Sequence, residues 1–328
     1  MRALRHHAFG SPADVLRLDD VPAPEPGPGQ VRVRLTHRSI NPADLLSVGG
    51  HYASLPDLPA VGGHEGVGRI DAVGPDVNGW AAGQRVVPLG AATWQERVVL
   101  GADALFAVPD AVADEAAAQL FVNPLTAWLM LDALDLTEGD WLLQTAATSQ
   151  VGRIVVQLAR RRGVRTVNLV RRADARDELE ALGADAVVVA SADDDPKAIR
   201  KQVLERTDGA GAAGALDAVG GRVGGLAARC LGEGATMLIY GRLSGEPIPL
   251  DGAALLFQQA AVRGFWRTRW FETHPLADTK AALEPLAALL ASGDLELPVA
   301  ATYDLADWRE AVAHSRESGR RGKVLLTG

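Results

Sequence analysis

The stretch WLLQTAATSQVGRIVVQLARRRGVRTVNLVRR (141–172) decides the fold. A short apolar run, WLLQT, leads into small residues. VGRIVVQLARRRG follows, with apolar side chains at helical spacing until a glycine stops them. VRTVNLV then returns to a continuous apolar run. Two strands that are apolar throughout, joined by one helix, belong to a parallel sheet covered on both faces. The rhythm continues: ADARDELEALG (173–183) reads as helix, AVVV (186–189) as strand and PKAIRKQVLERT (196–207) as helix. ALDAVG (215–220) and ATMLIYG (235–241) read as strands, with VGGLAARCL (223–231) as the helix between them. The expected fold class is α/β, a doubly wound parallel sheet of the Rossmann kind, with a second, mainly β domain.

That second domain lies on both sides of the alternation. VPAPEPGPG (21–29) is a turn-rich breaker, and VRVRLTHRSI (31–40) alternates strictly, as a half-buried strand does. NPADLLSVGGHYASLPDLPA (41–60) reads as loop because of its prolines and paired glycines. VGGHEGVGRIDAVG (61–74) turns from a glycine loop into a strand, and QRVVPLG (84–90) is strand-like. After VRGFWRTRW (262–270), a helix, a strand, a helix and KVLL (323–326) are expected to return to the first domain. The expected division is 1–122 with 268–328, and 123–267.

Composition narrows the function. The chain has 328 residues, a formal net charge of -8 and no long basic run, which argues against a nucleic-acid or membrane surface. The N-terminal MRALRHHAFGSPADVLRL has no apolar signal core. The most apolar long segment, 116–134, is interrupted by Gln119, Asn123, Pro124 and Asp132, and reads as a buried helix rather than a membrane span. One cysteine, Cys230, permits no internal disulfide. A cytoplasmic compartment is the natural expectation.

Three features bear on chemistry. In TAATSQVGR (145–153), small residues between a strand and a helix would let the backbone approach a diphosphate at a helix N-terminus; an ordinary tight turn would look the same. GxGxxG is absent and only Gly152 remains. The second strand ends in Arg171 and Arg172 where an NAD-preferring fold carries an acid. Two guanidiniums suit the 2′-phosphate of NADPH, or else form a solvated strand end. His64, Glu65 and Asp44 could each offer a metal ligand. A catalytic zinc needs three ligands, and Asn41-Pro42-Ala43-Asp44 stands where a zinc dehydrogenase has cysteine. No metal is expected, and His64 and Glu65 are read as structural hydrogen-bonding groups.

Taken together, NPADLLSVGGHYASLPDLPAVGGHEGVG (41–68), VNPLTAW (122–128), WLLQTAATSQVGRIVVQLA (141–159), TVNLVRR (166–172), ALDAVGG (215–221), IYGRLS (239–244) and RGFWRTRW (263–270) resemble one family. It is the zinc-independent branch of the medium-chain dehydrogenase/reductases, specifically the 2-enoyl thioester reductases related to mitochondrial enoyl reductase. The resemblance implies a GroES-like catalytic domain beside the Rossmann domain, with NADPH as cofactor. It places Asn123, Thr148, Ser149, Gln150, Val151, Gly152, Arg171, Arg172, Ala173, Tyr240, Gly241, Arg242, Leu243, Phe265, Trp266, Arg267 and Lys323 in the cofactor set. Gln150 and Arg242 stand where the family has glycines.

The same resemblance puts Tyr52 at the family's proton-donating tyrosine. Hydride delivery to the β-carbon of an enoyl thioester leaves an enolate, which must be stabilised and protonated at the α-carbon; an exposed loop tyrosine is the plainer alternative. Asn41 would bind substrate or order the cleft, and Trp266 would shape the pocket wall. The implied substrate is an acyl thioester on coenzyme A or acyl carrier protein, and the implied assembly a homodimer. A zinc-free quinone or enone reductase, and a non-catalytic NADPH-binding relative, are the rival expectations.

Overall fold

The computed structural model describes residues 1–90 and 92–328. It divides into two compact units: Met1–Leu125 with Pro275–Gly328, and Thr126–His274. The dividing point at Leu125 falls inside the helix Asn123–Leu134.

Among the described residues, the second unit is built on a sheet of six strands. In spatial order they are Ala186–Val189, Arg165–Val170, Trp141–Gln144, Ala212–Asp217, Leu231–Ile239 and Ala261–Gly264. Every pairing is parallel. In chain order this is third, second, first, fourth, fifth, sixth, the doubly wound arrangement with its topological switch between the first and fourth strands. Leu143, Val167, Leu169, Val188, Ala215 and Met237 are buried in one core beneath the helices, as continuous apolar strands require. Leu231–Ile239 starts earlier than its apolar run, because Leu231 already pairs with Ala212 and carries Gly232–Gly234 into the strand.

The first unit carries a mixed sheet. Among the described residues, its path runs Val299–Asp304, Lys323–Thr327, Gln30–Ser39, Gly66–Val73, Arg85–Pro88, Leu105–Ala107, with Arg97–Gly101 also paired to Gln30–Ser39. Arg2–His6 joins Leu16–Asp20 and Ala60–Val61 in a separate three-stranded sheet. One expectation is corrected. Pro42–Val48, read as loop, is a helix. Pro42 falls in the first turn, where its missing N–H costs nothing, and Asp44 accepts the Asn41 N–H at 2.6 Å. Pro42, which looks like a breaker, here starts a helix. Among the described residues no helix is long and apolar enough to cross a membrane.

Candidate active site

The first unit holds a buried polar cluster assembled from four distant pieces of chain. Strand Lys323–Thr327 pairs antiparallel with Gln30–Ser39, with Leu325 opposite Ser39. The Ile40 N–H donates to the Val324 carbonyl at 3.1 Å, which lays Lys323 alongside Asn41. Because Asp44 satisfies the Asn41 backbone, the Asn41 side chain is free to turn inward. Its Oδ1 accepts from Lys323 Nζ and, at 3.3 Å, from Asn123 Nδ2. Its Nδ2 donates to Ser39 Oγ and to Glu65 Oε1, both at 2.9 Å. Ser39 Oγ donates to the same Glu65 oxygen, and Glu65 Oε2 accepts the Val122 N–H at 2.6 Å.

Ser39, Asn41, Asp44 and Glu65 are all fully buried. Burial pushes the Lys323 ammonium down to about 8, against the opposing pull of Glu65 and Asp44. A buried ammonium beside two carboxylates that are themselves hydrogen-bonded is a satisfied network, the condition under which charges are tolerated inside a protein. The turn that delivers Glu65 depends on glycine. A Cβ at Gly63, whose φ is +91°, would meet Trp94 at 2.4 Å, and Trp94 is itself anchored by Nε1 donating to the Ser39 carbonyl at 3.1 Å.

Asp44 has a second role. Its Oδ1 pairs with His64 Nδ1 while Oδ2 holds the Asn41 N–H. Tyr52, half-buried after the Gly49-Gly50 helix end, puts its ring 6.0 Å from the His64 ring, tilted by 54°. Of the side chains read as candidate ligands, His64 and Asp44 thus engage each other, while Glu65 is held by Ser39, Asn41 and Val122. Among the described residues no group of three or more His, Cys, Asp or Glu is arranged to hold a metal ion.

The second unit places its candidate residues at the carboxyl ends of the parallel strands. The helix Gln150–Arg161 starts at Ser149, whose side chain accepts the Gly152 N–H at 3.1 Å. A Cβ on Gly152 would lie 2.5 Å from the Ala147 carbonyl oxygen, so the helix packs this closely on the turn only because that residue is glycine. Gln150 and Arg242 do not have positive φ, so neither side chain strains the backbone there. Val151 follows Gln150 in the first turn, with Thr148 exposed before it.

Arg171, Arg172 and Ala173 follow the next strand and are exposed, with Arg172 Nε 3.2 Å from Asp174 Oδ1. Tyr240, Gly241, Arg242 and Leu243 follow the fifth strand, and Phe265, Trp266 and Arg267 the sixth. Burial raises the Tyr240 phenol well above its ordinary range. Its hydroxyl lies near Ser149 without meeting hydrogen-bond geometry, a buried polar atom left over at the loop. Arg267 lies over the Phe271 ring at 5.2 Å.

A helix N-terminus with a close turn, two exposed guanidiniums one strand away and an unsatisfied phenol fit a phosphorylated dinucleotide. Asn123 and Lys323 belong to the first unit, where both donate to Asn41.

Sequence reasoning missed the residues that brace these groups. Arg153 is buried, donates to the Thr148 carbonyl at 3.0 Å and pairs with Glu178, holding the loop. Thr145 Oγ1 donates to Asp217 Oδ1 at 2.7 Å, and Asp217 accepts the Val219 N–H and the Gly220 N–H at 3.0 Å, tying the two strands at the topological switch. The signal was a polar residue ending an apolar strand, in QTAA and in ALDAVGG.

The comparisons agree with this architecture. Residues 27–110 match the alcohol dehydrogenase GroES-like domain, and residues 151–284 the family described as zinc-binding dehydrogenase. A human protein named enoyl-[acyl-carrier-protein] reductase, mitochondrial, is 34% identical over 100% of this chain and 88% of its own. A Bacillus thuringiensis structure described as a putative NADPH:quinone reductase superposes with a TM-score of 0.92 at 33% identity, covering 100% of this chain and 98% of its own. A complex of Etr1p with NADP and crotonyl-CoA superposes with a TM-score of 0.87 at 26% identity, covering 100% and 99%. The chain is an oxidoreductase and belongs to the 2-enoyl thioester reductase family of the medium-chain dehydrogenase/reductases.

Proposed function

We propose that this oxidoreductase uses NADPH to reduce the C2=C3 bond of a 2-enoyl thioester carried on coenzyme A or acyl carrier protein, with Tyr52 as proton donor. The observation that carries the reading is the likeness, over the whole chain, to a protein named as an enoyl reductase. The chain's own chemistry supports it. Arg171 and Arg172 offer bidentate donors to a 2′-phosphate, at the strand end where an NAD-preferring fold carries an acid. Thr148 to Gly152, Tyr240 to Leu243 and Phe265 to Arg267 would hold the rest of the nucleotide. When bound, the nicotinamide supplies the hydride.

The remaining work falls to the protein. Tyr52 gives its phenolic proton to the α-carbon as negative charge collects on the thioester oxygen. Asn41 is fixed on every side by Ser39, Glu65, Asn123 and Lys323, so its part is to keep the catalytic unit rigid around Tyr52. Trp266 would form a pocket wall. Replacing Tyr52 by Phe should lower kcat on crotonyl-CoA on the order of 100-fold or more, with NADPH affinity retained. Unchanged turnover would contradict the assignment.

The second reading is a quinone reductase, favoured by the Bacillus thuringiensis neighbour. It predicts turnover of quinones that is indifferent to Tyr52.

A further inference from the structure

We propose that His64, held by Asp44, returns a proton to Tyr52 after each turnover; the inference rests on the reading of Tyr52 as donor. Every reduction of an enoyl thioester consumes one hydride and one proton. If Tyr52 supplies the proton, its O–H bond breaks as the α-carbon C–H bond forms, and a phenolate is left behind. The next cycle cannot start until that oxygen is protonated again.

His64 is built for the task. Its ring lies 6.0 Å from that of Tyr52. Its Nδ1 is engaged by Asp44 Oδ1, and Asp44 cannot swing away because its other oxygen takes the Asn41 N–H at 2.6 Å. The Asp44 side chain is fully buried, so little solvent comes between it and the imidazole it holds. With Nδ1 committed, proton exchange falls to Nε2, on the opposite edge of the ring. The His64 side chain is 25% exposed, enough to reload from water. Glu65 and Lys323 are spent in the Asn41 network: Glu65 accepts from Ser39, Asn41 and Val122, and Lys323 donates to Asn41.

The balance closes without a co-reactant. The phenolate takes the Nε2 proton of the imidazolium, the neutral imidazole takes a proton from water, and one solvent proton reaches the α-carbon per turnover. The dyad therefore acts through Tyr52 and is a positioning and relay pair.

The test is steady-state NADPH oxidation on crotonyl-CoA by the full-length protein and its His64→Asn, His64→Gln and Tyr52→Phe variants, with and without added imidazole. The His64 variants should lose about 10- to 100-fold in kcat, keep wild-type NADPH affinity and regain turnover in proportion to imidazole. Tyr52→Phe should not respond to imidazole. Wild-type kcat in the His64 variants would overturn the relay. So would a loss that imidazole leaves unchanged in both variants. His64→Gln, which retains an amide to face Asp44, guards against a purely structural loss. Full turnover by Tyr52→Phe would instead overturn the reading beneath the relay.

Discussion

Lys323 is a basic residue kept inside the protein at a cost. Burial moves its ammonium from 10.5 down to about 8, so at neutral pH it stays charged and pays a desolvation penalty of about 3 kcal/mol relative to the unfolded chain. Above about 8 the folded state gives up this proton while the unfolded state keeps it until 10.5. Stability from this residue therefore rises with pH across that window and is lost as pH falls through 8. Denaturant unfolding of wild type and Lys323→Met between pH 7 and pH 10 should show the wild type gaining on the variant; parallel curves would contradict it. His6 works in the same direction at lower pH. It is buried without a hydrogen bond, and burial lowers its pKa below 6.5. The protein should lose stability as pH falls below about 6.5, and His6→Gln should flatten that loss in thermal melts.

At the scale of elements, the proposed use of NADPH rests on the second strand and its terminal arginines. Arg171→Ala and Arg172→Ala should each weaken NADPH binding about tenfold or more and leave NADH binding almost unchanged. Fluorescence titration separates the two, and equal losses for both nucleotides would show that the arginines do not read the 2′-phosphate. The strands of the second unit were legible in the sequence because each is a continuous apolar run closed by a glycine-stopped helix. The helix Pro42–Val48 was not, because Pro42 and the paired glycines carry the signature of a loop, and only the Asp44 cap shows otherwise. The Asn41 cluster was illegible: Lys323 lies 282 residues away from its partner, and only the pairing of the last strand with Gln30–Ser39 brings them together. Asp217 left a local signal as the polar end of an apolar strand, whereas the burial of Arg153 follows from the fold alone.

At the scale of the whole molecule, the sixth strand Ala261–Gly264 ends the parallel sheet, and its free edge is preceded by Leu256 and Phe257, which are 70% and 81% exposed. An open edge beside large apolar side chains is a pairing surface. We propose that two copies join there, so light scattering should give the mass of two chains, and Phe257→Lys should shift it toward one. A single-chain mass for the wild type would contradict the pairing. The reaction itself is open to direct measurement. NADPH oxidation by chelator-treated protein, measured side by side on short 2-enoyl-CoA esters and on simple quinones, tests it most directly. The account predicts rapid turnover of the thioesters, little of the quinones and no recovery on adding zinc. Turnover confined to quinones would contradict it.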